Sequence, residues 1–227
     1  MPDVDRAATF YASVLGWAYA PDDGQDRMVR GGTPPHGLVG FSALPPIFGG
    51  QAHPTFFRSH AVENVDAAVL RVRGAGGRAA DPADTPHGRT ADCLDPDGAP
   101  FAMHQTTGQE PRGPVNGVWA GDVSYLTLQV VDGARAREFY AAVFGWEFTP
   151  GHSPDGWEPV DVVPMTGLHG GHDTATAIPM YRVDDITAAV ARVRAGGGAA
   201  TDPQTQPYGQ MSECTDDQGT HFYLGQH

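Results

Sequence analysis

The chain repeats itself. Phe10-Tyr11-Ala12 through Gly16-Trp17 returns as Phe139-Tyr140-Ala141 through Gly145-Trp146, always 129 residues later. A second echo links Val62-Glu63-Asn64-Val65 and Ala67-Ala68-Val69 to Val183-Asp184-Asp185-Ile186 and Ala188-Ala189-Val190, at an offset of 121. The unequal offsets mean that the second copy is shorter between its landmarks. Duplication within one polypeptide constrains everything else, because it fixes which positions are equivalent and where the copies differ.

A chain of 227 residues has room for two domains, each with its own core. Hydrophobic content of 40% and charged content of 18% are globular values. No apolar run approaches the roughly 18 residues of a membrane span. The start, Met1 to Asp5, carries neither a basic nor an apolar leader segment, so the expected location is cytoplasmic. A formal charge of −13 disfavours nucleic acid and anionic membranes, whose recognition rests on cations. All 14 basic residues are arginine, which excludes a lysine Schiff base or lysine general base. Cys93 and Cys214 stand at equivalent positions of the two copies and read as core thiols rather than a disulfide framework.

Asp3 or Asp5 can cap a helix running to Leu15, with Ala8, Tyr11, Ala12 and Leu15 on one face and Gly16 ending it. Its equivalent spans 133–144. A second helix in each copy begins near Asn64 or Asp185 and stops at the glycines around 74–77 or 196–198. Short apolar or alternating runs predict strands at 38–41, 55–57, 125–130, 160–163 and 178–183. Each copy closes with a hairpin, Thr90–Leu94 to Pro100–Gln105 and Ser212–Thr215 to His221–Gln226, with Asp95 and Asp97 as turn residues. Residues 108–118 have linker composition, which divides the chain into 1–107 and 119–227.

Asp132, Phe139-Tyr140 and Gly145-Trp146, followed by a Val-Asp-Asp helix start, and the Asp95-Pro96-Asp97-Gly98 hairpin of the first copy resemble the vicinal-oxygen-chelate superfamily. That group includes glyoxalase I, bleomycin-resistance proteins and extradiol dioxygenases, and the closest likeness is to tandem glyoxalase-like proteins often labelled hydroxylases. The resemblance implies an α+β fold of two tandem domains, each of paired βαβββ units forming a curved mixed sheet around a cup. Such a domain opens with a strand, yet the first copy starts almost on its helix cap. Its first strand is therefore expected to be missing or shortened, and the uncovered edge invites pairing with a second copy of the chain as a homodimer.

Metal-dependent members of the superfamily carry His, Glu or Gln ligands on strands one, five and eight. The matching positions here are Tyr125 on strand one of copy two, Phe57 and Ile178 on strand five, and Ala102 and Tyr223 on strand eight. None is a usual ligand for a divalent ion, so no metal and no cofactor is expected. His169 and His172, three apart in a glycine-rich stretch, read as a solvated loop.

Strand alternation sends residues of the ligand-slot parity into the cup. In copy two these are Tyr125, Thr127, Gln129, Ile178, Met180, Arg182, His221 and Tyr223. In copy one they are Phe57, Ser59, Pro100, Ala102 and His104, with Arg58 and His60 on the helix side. Tyrosines can stack on a planar ligand, Met180 adapts to shape, and Arg182 could hold a carboxylate or phenolate. Two functions follow. The favoured one is metal-independent binding of a planar, partly hydrophobic metabolite or antibiotic. The alternative is an enzyme of the lyase, isomerase or oxygenase type. It would use His104 or His221 as base and Tyr125 or Tyr223 as acid or oxyanion donor, or an unrecognised divalent metal.

Overall fold

The computed structural model describes residues 3–19, 27–28, 40–41, 56–85, 88–105 and 117–227. Copy one contributes α1 (Val4–Leu15), β1 (Arg27–Met28), β2 (Gly40–Phe41), β3 (Arg58–Val62), α2 (Val65–Gly74), β4 (Arg78–Ala79), β5 (Ala83–Thr85), β6 (Gly88–Leu94) and β7 (Pro100–Gln105). Copy two contributes β8 (Val123–Gln129), α3 (Gly133–Phe144), β9 (Phe148–Pro150), β10 (Gly156–Pro159), β11 (Thr166–His169) and β12 (Thr176–Arg182). It continues with α4 (Ile186–Ala195), β13 (Ala199–Ala200), β14 (Gln204–Gln206), β15 (Gly209–Thr215) and β16 (His221–Gln226).

All four helices start alike. Asp3, Asn64, Asp132 and Asp185 each accept a backbone N–H of the first turn through the side chain. Gly16 and Gly145, both at φ 73°, end α1 and α3 in the left-handed conformation that glycine adopts without penalty. The buried face of α1 is Ala7, Ala8, Phe10, Tyr11 and Val14, whereas Ala12 and Leu15 are only half-buried. The expected face is therefore rotated, because α1 packs on α4 and on the sheet of copy two.

Copy two forms one continuous sheet of nine strands in the order β13-β15-β16-β12-β8-β11-β10-β9, with β14 added to β15. Its two βαβββ units join where β12 runs antiparallel to β8. Copy one forms a five-stranded sheet, β3-β7-β6-β4 with β5 on β6, and a separate β1-β2 pair. Among the described residues, β3 pairs with β7 alone, although its counterpart β12 has β8 on the other side. The expected strand at 38–41 is described only at Gly40–Phe41, and the one at 55–57 begins instead at Arg58; residues 38, 39 and 55 lie outside the described set.

The strand expected at 160–163 is a turn. Asp161 sits at φ 56°, and Val160 and Val163 are exposed, so the valine alternation that suggested a strand buries nothing there. The strands lie on either side of it, in β10 and β11.

Two cores hold the molecule together, and each draws on both copies. One joins α2, β6 and β7 to α3 and β8; the other joins α1 to α4, β12 and β16. The repeated Phe-Tyr and Gly-Trp explain how. Trp17 stacks on Tyr11, whose hydroxyl lies 3.3 Å from Asp216 in the closing turn of copy two. Trp146 stacks on Tyr140, whose hydroxyl donates to Asp95 in the closing turn of copy one at 2.8 Å. Both aspartates are buried and also accept two backbone N–H groups of their own turns. The repeated motif is thus a reciprocal clasp between the copies.

Candidate functional site

The cup of copy two is built by alternation. Leu126, Leu128, Tyr181, Phe222 and Leu224 are buried in the cores, so their neighbours face the other way. On β8, Tyr125, Thr127 and Gln129 are half-buried; on β12, Ile178 and Met180 are buried; on β16, His221 is exposed and Tyr223 half-buried. Met180 pairs with Tyr125 on one side and Tyr223 on the other, and Ile178 pairs with Thr127. Two glycines open room for these side chains. A Cβ on Gly167 would lie 2.0 Å from the Tyr125 hydroxyl, and one on Gly225 would lie 2.7 Å from Met180 Sδ.

Burial, with Glu158 and Tyr208 close by, pushes the Tyr125 phenol up to about 12. Burial also raises Tyr223, with Glu213 and Tyr208 adding to it. Tyr208, Glu158 and Glu213 were missing from the sequence reading. Glu213 was legible by the same alternation, since Ser212 and Cys214 beside it are buried. Tyr208 lies in the turn between β14 and β15, 52% exposed, where the alternation rule does not apply.

Arg182 faces a different task from the one its sequence position suggests. Its Nη1 donates to the carbonyls of Gly117 and Val118 at 2.9 and 2.8 Å, holding the start of copy two. In the cup of copy one, Ser59 Oγ lies 2.8 Å from His104 Nδ1. Ser59 pairs with Ala102 on β7, which pairs with Asp92 on β6, so a carboxylate shares that face. Phe57 is exposed at the edge of β3.

Arg58 and His60 lie on the helix side. Arg58 is buried, donates to the Tyr140 hydroxyl and donates to His60 Nε2 at 3.1 Å. His60 is mostly buried against Phe144, Trp146 and Phe101. Burial, followed by the charge of Arg58 and the nearness of His104, lowers its pKa to about 3. Burial raises the Asp95 carboxyl, partly offset by Arg58 and by its hydrogen bonds. These groups serve the clasp and do not reach a cup.

The metal slots that the resemblance implies would be Tyr125, Ile178 and Tyr223 in copy two, with Phe57 and Ala102 in copy one. Phenol, sec-butyl, benzyl and methyl groups do not make the imidazole and carboxylate set that a catalytic divalent ion requires. No group of three His, Cys, Asp or Glu among the described residues could hold an ion. His169 ends β11, 3.0 Å from Ser153 Oγ, and burial lowers its pKa; His172 follows in a loop. The donor set at these positions therefore does not fit a resident metal.

Residues 1–104 match the glyoxalase-like domain family, and residues 124–162 match the bleomycin resistance protein-like N-terminal family. The anthracycline biosynthesis protein DauV of Streptomyces sp. (strain C5) is 28% identical, over 97% of this chain and 88% of its own length. The anthracycline biosynthesis protein DnrV of Streptomyces peucetius is 36% identical over 44% of this chain and 36% of its own. Among solved structures, the Mn(II)-bound glyoxalase from Novosphingobium aromaticivorans superposes with a TM-score of 0.69 at 19% identity, covering 99% of this chain and 78% of that one. The 2,2',3-trihydroxybiphenyl 1,2-dioxygenase of Sphingomonas wittichii strain RW1 gives 0.67 at 17% identity, over 99% and 86%. No described helix is long and apolar enough to cross a membrane.

Proposed function

We propose, from the match of residues 1–104 to the glyoxalase-like domain family and of residues 124–162 to the bleomycin resistance protein-like N-terminal family, that the chain binds a planar, partly hydrophobic small molecule in the cup of copy two without a metal ion. One observation carries the reading: the row Tyr125, Met180, Tyr223 across three adjacent strands, with aromatic and thioether surface where metal-dependent relatives present ligands. Similarity to proteins named for anthracycline biosynthesis supports a polycyclic aromatic ligand from antibiotic metabolism. Flat rings stack on phenols, and a thioether beneath them conforms to shape.

The test combines two measurements on protein purified without chelator. Elemental analysis is expected to find no stoichiometric divalent ion, and a planar aromatic titrant is expected to quench tyrosine fluorescence saturably. The double change Tyr125→Ala, Tyr223→Ala should weaken that binding about fivefold or more, since two aromatic contacts of about 0.5–1.5 kcal/mol each are lost. One tightly held ion per copy, or unchanged affinity in the double variant, sinks the reading.

A second reading has one observation behind it. The Ser59–His104 contact joins a hydroxyl to an imidazole on the face of copy one, the geometry of a general base and the proton it takes. Turnover in that cup, through His104 and without His221, is the form in which an enzymatic role fits this chain best.

A further inference from the structure

We propose that the cup of copy two selects a planar ligand that carries a carboxylate or similarly acidic oxygen, seated on the Nε–Nη2 edge of Arg182. The proposal rests on the binding reading above and names the polar group of its ligand. Tyr181 and Val183 are buried in the core, so Arg182 between them faces the same way as Met180, two residues back on β12. Arg182 pairs with Gly225 on β16, and Gly225 pairs with Met211 on β15, so that side of its row holds no carboxylate. On the other side Asp122 is buried, accepts the Trp119 N–H at 3.2 Å and makes no ion pair with Arg182. The neighbouring row of Met180, Tyr223 and the exposed Glu213 lies roughly 7 Å away along the strands. A ring over Met180 thus places a substituent one row away, at Arg182.

Hydrogen bonding of this guanidinium is one-sided. Nη1 donates to the carbonyls of Gly117 and Val118 at 2.9 and 2.8 Å, which fixes the plane of the group. Nε is buried with no hydrogen-bond partner, and Nη2 makes no hydrogen bond among the described residues. Elsewhere in the chain that edge is where acceptors sit. Arg89 grips the Asp66 carboxylate through Nε at 2.7 Å and Nη2 at 2.8 Å. Arg73, Arg192 and Arg194 each bring Nε and Nη2 onto one carbonyl. A buried N–H without an acceptor is costly, and the planar fork of a guanidinium matches the two oxygens of a carboxylate. Arg182 is also the one arginine on the strands of this sheet, and the chain has no lysine. Over Gly225, Met180 Sδ and His227 Nδ1 come within 2.7 and 3.5 Å of where a Cβ would lie. The ligand oxygen reaches Nε past these two side chains, one an unbranched thioether and the other exposed.

The experiment uses three planar probes at neutral pH: the carboxylate, carboxamide and methylammonium derivatives of naphthalene, substituted at the same ring position. The carboxylate is expected to bind about tenfold more tightly than the carboxamide, with the cation weakest. In Arg182→Gln the carboxylate should fall to the level of the carboxamide, while the carboxamide keeps its affinity. Equal loss of both probes in that variant would mean that Arg182 acts only by holding Gly117 and Val118, and overturns the proposal. The unaltered protein supplies a second readout by nuclear magnetic resonance: one arginine Nε–H signal should move downfield on saturation with the carboxylate, and a set of arginine signals that stays in place overturns the proposal as well. Equal binding of all three probes, or tightest binding of the cation, removes the acidic-oxygen site while the small-molecule reading stands. Saturable binding by none of them takes both down.

Discussion

His60 should make this protein lose stability in mild acid. Its ring is packed against Phe144 and Trp146, and its Nε2 accepts from Arg58, so a proton on it would remove the acceptor and set two cations side by side. The folded pKa of about 3 lies below the ordinary value of about 6.5. The unfolded chain therefore takes up the proton first as the pH falls. Stability from this group is present above about pH 6.5, is lost below it, and stops being lost near the folded value. From about pH 7 to pH 5 the loss comes to about 2 kcal/mol, at 1.36 kcal/mol per unit of separation. The result is insensitive to the folded value, because anything below about 4 leaves the ring neutral at pH 5. His60→Gln keeps an acceptor for Arg58 and cannot titrate. Urea unfolding of both proteins at the two pH values, with unchanged m, gives the comparison. The variant should gain about 2 kcal/mol relative to wild type on going to pH 5. Contributions of other titrating groups, Asp95 and His169 among them, are common to both proteins and cancel. A wild-type-to-variant difference that stays constant between the two pH values would refute the enclosed, neutral imidazole.

The clasp predicts a cost at its centre. Tyr140→Phe strips a hydroxyl from between buried Arg58 and Asp95 and should cost about 2–3 kcal/mol. A loss below about 1 kcal/mol in urea unfolding would show that the hydroxyl joins nothing there. Among the described residues β3 has a partner strand on one side only, and we propose that its other edge pairs two copies of the chain, so sedimentation equilibrium should give twice 24.0 kDa. A monomer at every concentration tested removes that proposal.

The helices were legible almost to the residue because their signals are local: an Asp or Asn cap, an apolar face, and a glycine or glycine pair at the end. The closing hairpins were legible for the same reason. Cup-facing parity on β8, β12 and β16 followed from alternation, which needs only one buried face to set it. What escaped depends on contacts distant in sequence. Nothing local tells that Arg182 reaches back to Gly117. The valines at 160–163 copied a strand pattern without a partner strand to bury them, and Asp161 turned the chain instead.

The copies also differ in a linked way that bears on what each cup does. Ser59 and His104 of copy one correspond to Met180 and Gly225 of copy two, each residue lying 121 positions from its counterpart. In copy one the two side chains touch as hydroxyl and imidazole. In copy two Met180 fills the space over Gly225, and a Cβ there would lie within 2.7 Å of its sulfur. A side chain at 225 would require the Met180 thioether to move, and a serine at 180 would uncover the space above a bare glycine. The polar arrangement is the one the proposed proton transfer would need and the apolar one the proposed flat ring would need, so the scaffold repeats while the side chains on the two floors differ.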